Sequence, residues 1–294
     1  MDAIRYATLA QGRSEIKETD ATATAGDPYV LAALAHVSAR IDIETGRTFA
    51  PFIEMRYFDA IGEHIDPVER TLLLDRPLLA VTSVTVNGTA LVAGTDYLPV
   101  PRSGTPITGL RIPASSGHWW GEYSGDWKDS IAVTGIWGYH TYYAGAWLAS
   151  GDTVQATLAA AADYVQVQDA SALDSLRRSP RFSPGQLLRF GATLDYAEVL
   201  EVDTDTSPDR LYLRRNARGS TAIEHAATTP ISIWQPEAAI ERAALRWVGY
   251  LYKRRGSFEN TQFDGVTVTT FPPDMPKEVE DILETLTEYT FGGV

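Results

Sequence analysis

Two amphipathic stripes bracket the chain and set the terms of its fold. Over residues 27–45, Val30, Leu31, Leu34, Val37 and Ile41 recur at steps of one, three, three and four, which places them on one helical face. Asp27 is suited to cap this helix, Pro28 to its first position and Gly46 to its end. The second stripe opens at Pro236 and carries Ile240, Ala243, Ala244, Trp247, Val248 and Leu251, with Tyr250 and Tyr252 beside it. Lys253, Arg254 and Arg255 complement the dipole at its C-terminal end, and Gly256 stops it. A last helix is predicted over 276–289, with Val279, Ile282, Leu283 and Leu286 apolar. An amphipathic helix buries its stripe against a partner, so the two ends of the chain must meet if these helices bury their stripes together.

Between the brackets the texture is strand and turn. Residues 53–58, 71–74 (broken by Pro77) and 81–86 precede Asn87-Gly88, the strongest hairpin signal in the chain, and 91–98 is the predicted returning arm. Runs at 107–112 and 131–136 complete a β region, antiparallel because the connections are too short for helical crossovers. Residues 139–150 read as an irregular aromatic connector. A second strand block spans 151–233, with runs at 164–167, 186–190, 197–202 and 210–213 and turns at Ser183-Pro184-Gly185 and Ser207-Pro208-Asp209. It reads as a small β-barrel or sandwich. The class is therefore α+β, in the order helix, β, β, helix, helix. Residues 257–275 read as a loop holding the short strand 266–269.

Chemistry is sparse in this sequence. With no cysteine, disulfides, thiolate metal sites and cysteine nucleophiles are excluded. The five histidines, at 36, 64, 118, 140 and 225, include no i, i+4 pair, so no histidine metal site is expected; His36 reads as a packed or surface residue. No Gly-x-Ser-x-Gly elbow and no glycine-rich phosphate loop is present. Glu198 and Glu201 fall on opposite faces of one strand and cannot share a hydrolytic site; both read as solvated charge. No catalytic residue, cofactor or metal is expected. The net charge of −13 argues against a protein that grips DNA phosphates, and suits either solubility or a surface that DNA slides past. The start of the chain shows no secretory signal and no stretch reaches about 18 apolar residues, so synthesis in a cytoplasm is expected.

The remaining candidates concern binding. Among seven tryptophans, Trp119, Trp120 and Trp127 cluster with Tyr123 and read as core or interface anchors, with a glycan-binding platform as the alternative. Lys253, Arg254 and Arg255 serve as helix-end charge or as phosphate contacts in a DNA channel. Arg177, Arg178 and Arg181 with Arg214, Arg215 and Arg218 make the second β block locally basic, most simply as a solvated rim.

A resemblance then enters. The stretches Ala39-Arg40-Ile41-Asp42-Ile43-Glu44-Thr45-Gly46-Arg47-Thr48-Phe49 and Ala243-Ala244-Leu245-Arg246-Trp247-Val248-Gly249-Tyr250-Leu251-Tyr252-Lys253-Arg254-Arg255 resemble the phage head-tail connector (adaptor) family, in that order. Between them, residues 72–88 resemble the family's hairpin strand pair, followed by Asp96-Tyr97-Leu98. The likeness covers roughly 27–137 and 236–290. It implies an adaptor core at 1–149 and 234–294, a helical bundle of N- and C-terminal helices with an antiparallel β region; the block at 150–233 departs from the family's compact members and reads as an inserted β domain. It also implies a structural, non-enzymatic neck protein of a virion. Such a protein forms a closed ring, a dodecamer, under the portal protein, docks a tail terminator or next neck protein, and passes double-stranded DNA without reading its sequence. The portal-contact candidates are Val279, Ile282, Leu283, Leu286, Tyr289 and Phe291. Residues 1–26 and 257–275 are expected to order on assembly. The rival expectation is a β-rich virion module that binds glycans.

Overall fold

The computed structural model describes residues 4–17, 24–121, 126–254, 259–263, 266–270 and 274–287. Within them the protein is mixed α+β, with four α-helices, two large antiparallel sheets and a two-stranded hairpin. It packs as two compact units: Met1–Gly46 with Leu148–Arg215 and Ala222–Val294 as unit 1, and Arg47–Trp147 with Asn216–Thr221 as unit 2.

A capping box builds the first helix. Thr8 Oγ1 accepts the Gln11 N–H at 3.3 Å while Gln11 Oε1 accepts the Thr8 N–H at 2.8 Å, and α1 runs Leu9–Glu15. Part of the segment expected to order on assembly is thus already helical, packed on the helices around it. α2 (Asp27–Thr45) keeps its predicted bounds, and Gly46 ends it in the left-handed region at φ 68°. The cap differs from expectation: Gly26 holds the N-cap position, and Asp27 instead pairs with Arg13 Nε at 3.3 Å.

Unit 2 is a seven-stranded sheet. Its strands are β1 (Phe52–Phe58), β2 (Ile65–Asp66), β3 (Thr71–Val86), β4 (Thr89–Leu91), β5 (Leu98–Val100), β6 (Ile107–Arg111) and β7 (Ile131–Trp137). The order is β1-β7-β3-β6-β5, with β2 and β4 also paired to β3. Asn87 and Gly88 both take positive φ (49° and 77°), so Val86 pairs directly with Thr89 across a two-residue loop. The returning arm is only β4, shorter than the predicted 91–98. Pro77 does not break the strand as expected. The β3–β6 ladder skips from Leu73 to Leu78, which leaves the N–H-less Pro77 in the irregularity while its carbonyl accepts Gly138 N–H at 3.0 Å. The inner face buries Phe58, Leu72, Leu78, Leu110, Val133 and Trp137 in one core.

The second large sheet belongs to unit 1. It comprises β8 (Trp147–Thr153), β9 (Tyr164–Val167), β10 (Leu187–Phe190), β11 (Tyr196–Asp203), β12 (Asp209–Arg214) and β13 (Pro230–Trp234), in the order β8-β13-β10-β11-β12-β9. Of the small β-barrel or sandwich read from the sequence, the barrel is not formed: the sheet does not close. Among the described residues β8 and β9 share no ladder; their ends are joined by Gln155 N–H to Gln166 O at 2.9 Å and by the Asp152 carboxylate, which accepts the N–H groups of Gln168 and Asp169. The predicted irregular connector also gives way. A 3₁₀ turn at Tyr143–Gly145 leads straight into β8, and β13 is a strand the sequence reading left unassigned. Val165, Leu188, Phe190, Val199, Leu211 and Ile233 fill this core.

The chain closes with α3 (Ala238–Arg254), the hairpin β14 (Glu259–Phe263) and β15 (Val266–Thr270), and α4 (Lys277–Glu284), which ends short of the predicted 289. The two stripes read from the sequence do meet. α2 buries Val30, Leu34, Val37 and Ile41, α3 buries Ile240, Ala243, Ala244, Trp247 and Val248, and these helices pack on each other. Each fully buried Val, Leu or Ile side chain among these contributes about 1.5–3 kcal/mol. Tyr29 Oη donates to Leu251 O at 3.2 Å, and the Tyr29 and Tyr252 rings meet edge-on at 5.9 Å. No described helix is long and apolar enough to cross a membrane.

Candidate functional site

Four of the sequence-predicted contact residues, Lys253, Arg254, Ile282 and Leu286, lie at the surface on or beside α3 and α4. Trp247 Nε1 donates to Asp274 O at 2.9 Å and Arg254 pairs with Asp274 at 3.1 Å, which fixes where the chain enters α4. Arg242 and Arg246 reach Glu278 at 2.7 and 3.7 Å and tie the two helices along their length. Val279 and Leu283 are buried in this chain's own interior, at 0% and 2% exposure, so they serve the fold. Ile282 and Leu286 are half-buried and reach the surface. Tyr289 and Phe291 lie outside the described residues, as does Arg255. Lys253 is exposed at the end of α3. Between the helices lies an open groove of about 770 Å³, with Ala238, Ala239 and Ile282 as its apolar lining and Arg242, Glu278 and Asp281 around it.

The tryptophans do not share one environment. Trp120 is buried in the unit 2 core, its Nε1 donating to Arg70 O at 2.9 Å. Trp127 is half-buried with Lys128 Nζ 5.7 Å from its ring centre, and Trp119 is 57% exposed. A platform of three exposed rings is therefore absent, because the sheet core takes the middle one.

Nor is the basic cluster a solvated rim. Arg178 pairs with Asp174 at 2.8 Å and Arg181 with Asp152 at 2.7 Å. Arg214 pairs with Glu198, and Arg215 is buried against Asp195. Arg218, in unit 2, donates to Pro51 O at 3.3 Å and Ala50 O at 3.1 Å. Among the described residues the Arg177 side chain alone of the six has no such bond. Glu198 is likewise not solvated. It is 5% exposed and also faces Arg5 at 3.9 Å, whereas Glu201, beyond a bulge in β11, is exposed. Burial lowers the Arg5 guanidinium from its ordinary value; the Glu198 charge opposes this and Arg214 adds to it.

A cavity of about 250 Å³ lies within unit 1, lined by Arg5, Gln11, Arg178, Gln186, Trp234 and Glu241 among others. Gln11 Nε2 donates to the Glu241 carboxylate. Burial pushes the Glu241 carboxyl above its ordinary 4.5, with Arg178 and Gln11 acting in the opposite direction. A raised carboxyl pKa in the fold means that Glu241 stabilises the protein when protonated, and that this contribution is lost as pH rises through the folded value. Glu241→Gln keeps an acceptor for Gln11 and removes the charge. Its melting temperature is expected to exceed wild type at pH 7, with the gap closing toward pH 4; an equal gap at both pH values rules out burial of the charge as the cause.

Sequence reasoning missed a deeply buried polar cluster around Asp195. Asp195 (1% exposed) precedes β11, and its Oδ2 accepts from Arg215 Nη2, from Ile223 N–H at 3.0 Å and from His225 Nε2 at 2.9 Å. Nothing in the local pattern flags Asp195, which is twenty residues before Arg215 and thirty before His225. Among the described residues no group of three His, Cys, Asp or Glu side chains could hold a metal ion. Neither a scan against protein families nor a search of curated proteins returned a match for this chain.

Proposed function

We propose that the chain is a structural head-to-tail adaptor of a tailed phage or phage-like particle. In this reading it is a non-catalytic neck protein that forms a ring under the portal, extends the DNA channel and docks the next neck or tail protein. The observation that carries the reading is the packing of α2 on α3. The helices that carry most of the two stretches resembling the connector family, α2 and α3, pack on each other in unit 1 although about two hundred residues separate them. In the proposed architecture the four terminal helices form the assembly core, and the 150–233 block is an addition to it. The portal contact falls to Leu286 and the chain after it, with Tyr289 and Phe291, because Val279 and Leu283 are committed to the interior. The acidic balance of the chain, −13, suits a channel wall that DNA passes without being held.

The test is electron microscopy and mass measurement of the purified chain, alone and mixed with the portal of the same particle. A ring coaxial with the portal is expected. Truncation after Thr287 leaves every described helix complete and is expected to abolish portal attachment with the circular dichroism spectrum unchanged. A chain that ignores the portal overturns the reading, and attachment that survives the truncation overturns the contact assignment.

A further inference from the structure

The cavity within unit 1 is walled by the segment that leads into α1, the loop at 174–180 and the turn at 185–187. Arg5 is built into that wall. Ile4 and Tyr6 on either side of it are buried, Tyr6 N–H donates to Ser38 Oγ at 3.0 Å, and Arg5 Nε donates to Leu31 O at 3.3 Å. Gly185 makes room for the side chain: a Cβ there would stand 2.6 Å from both Arg5 Cδ and Arg5 Nη1. The guanidinium is therefore held in place before any ligand arrives, and it loses little conformational freedom on binding one.

The polar groups of the wall give the sign of that ligand. Among the described residues, Arg5 Nη1 and Nη2 have no hydrogen-bond partner. Glu198 Oε1, 3.9 Å from Nη1, lies beyond hydrogen-bond reach, and that carboxylate is engaged by Arg214. Arg178 uses its Nε on Asp174, which leaves both Nη groups, and Gln186 uses its Oε1 on Ser183 N–H, which leaves its amide nitrogen. The two carboxyl groups of the wall are already engaged. Asp174 accepts the N–H groups of Leu176 and Arg178 as well as Arg178 Nε, each at 2.8–2.9 Å. Glu241 accepts from Gln11, and burial favours its uncharged acid. What remains to meet a ligand is a set of N–H donors, most of them on cations. At about 250 Å³ the cavity has room for several waters, at roughly 30 Å³ each, or for one small ion in their place.

We propose that this cavity binds a small oxyanion, a phosphate or a carboxylate, on the Nη groups of Arg5, with Arg178 and Gln186 as further donors. Paired guanidinium N–H groups match two oxygens of either anion. Burial acts against the Arg5 charge, and an anion in the cavity supplies the partner that water no longer does. The site makes and breaks no covalent bond, and it stands or falls independently of the adaptor reading.

The experiment is isothermal titration calorimetry of the full chain at pH 7 and constant ionic strength, with inorganic phosphate and with succinate. Saturable binding of at least one is expected; phosphate alone marks a phosphoryl ligand and succinate alone a carboxylate ligand. Arg5→Gln is expected to weaken binding at least about tenfold, the loss of a charged hydrogen bond, and Arg178→Gln to weaken it less. Glu241→Gln removes a carboxyl group from the same wall and is expected to leave binding unchanged or tighter. Ala10→Leu fills the cavity from α1 without touching a charge and is expected to abolish binding with the circular dichroism spectrum unchanged. It keeps the test decisive where loss of the Leu31 bond loosens the Arg5 segment. Failure of both anions to bind saturably overturns the proposal, as does binding that survives Arg5→Gln and Ala10→Leu. Binding that is lost in Glu241→Gln and kept in Arg5→Gln also overturns it, and marks a cationic ligand instead.

Discussion

Asp195→Ala is expected to destabilise unit 1 by about 3–5 kcal/mol, the usual consequence of removing one partner from a buried ion pair. The carboxylate is 1% exposed and Arg215 is its partner, with 5% of the side chain exposed, so the guanidinium left behind has little access to water. Arg215 retains Ala159 O at 3.3 Å and Ile223 O at 3.0 Å, but neutral carbonyls do not replace a counter-charge. The loss spreads beyond the pair. His225 exchanges backbone hydrogen bonds with Leu158, both at 2.9 Å, and its ring rests 5.1 Å from that of Phe190 in the sheet core. Asp195 therefore joins the start of β11, the end of β12 and the segment before β13. Asp195→Asn keeps the shape and one acceptor and is expected to fall between Ala and wild type. Removing both charges in Asp195→Ala/Arg215→Met is expected to recover a substantial part of the loss, since an apolar pair of similar volume leaves nothing buried and unpaired. Urea unfolding of the four proteins checks this; a loss within about 1 kcal/mol for Asp195→Ala shows that the cluster is solvated in the working protein.

What was legible in the sequence follows from the range of the interaction that decides each element. α2 ends where Gly46 places it, and the β3–β4 turn falls at Asn87-Gly88, because φ preferences act within a few residues. The apolar stripes of α2 and α3 were legible for the same reason, and a shared interior was the only place to bury both. Pro77 misled, since a missing N–H breaks a strand only where the ladder needs it, and the bulge between Leu73 and Leu78 removes that need. Strand alternation in 151–233 predicted strands but could not decide between a closed barrel and an open sheet. Closure depends on whether β8 and β9 pair, and there the Asp152 carboxylate instead takes the N–H groups of Gln168 and Asp169, just past β9. The α4 stripe was legible too, but not its division: Val279 and Leu283 turn inward and Ile282 faces the groove, which packing on α3 decides. The arginines were least legible. Six in one block read as a basic rim, yet the partners of Arg181, Arg215 and Arg214 are Asp152, Asp195 and Glu198, positions that no local rule connects to them.

Gly219→Ala is expected to destabilise unit 2 by roughly 2–5 kcal/mol, and the reason is a close approach of two backbones. Residues 216–221 lie against β1. Arg218 is held in the left-handed region at φ 58°, donates to the carbonyls of Ala50 and Pro51, and places its guanidinium 5.4 Å from the Phe52 ring. Gly219 follows at φ 75°, and a Cβ there would stand 2.1 Å from Ile53 O and 3.2 Å from its carbonyl carbon. The left-handed conformation alone costs a residue with a side chain roughly 1–2 kcal/mol. Forcing an atom against a main-chain oxygen, which cannot rotate away as a side chain can, adds about 1–3 kcal/mol. Gly88→Ala separates the two contributions. Gly88 has a similar φ of 77° but nothing within 4 Å of the added carbon, so its substitution carries the conformational part alone. Hydrogen exchange at residues 50–58 is expected to accelerate in Gly219→Ala and to stay near wild type in Gly88→Ala, because the 216–221 loop covers β1 where β7 does not. If the two variants unfold at the same denaturant concentration, the loop yields to the methyl group and the covering of β1 contributes nothing to stability.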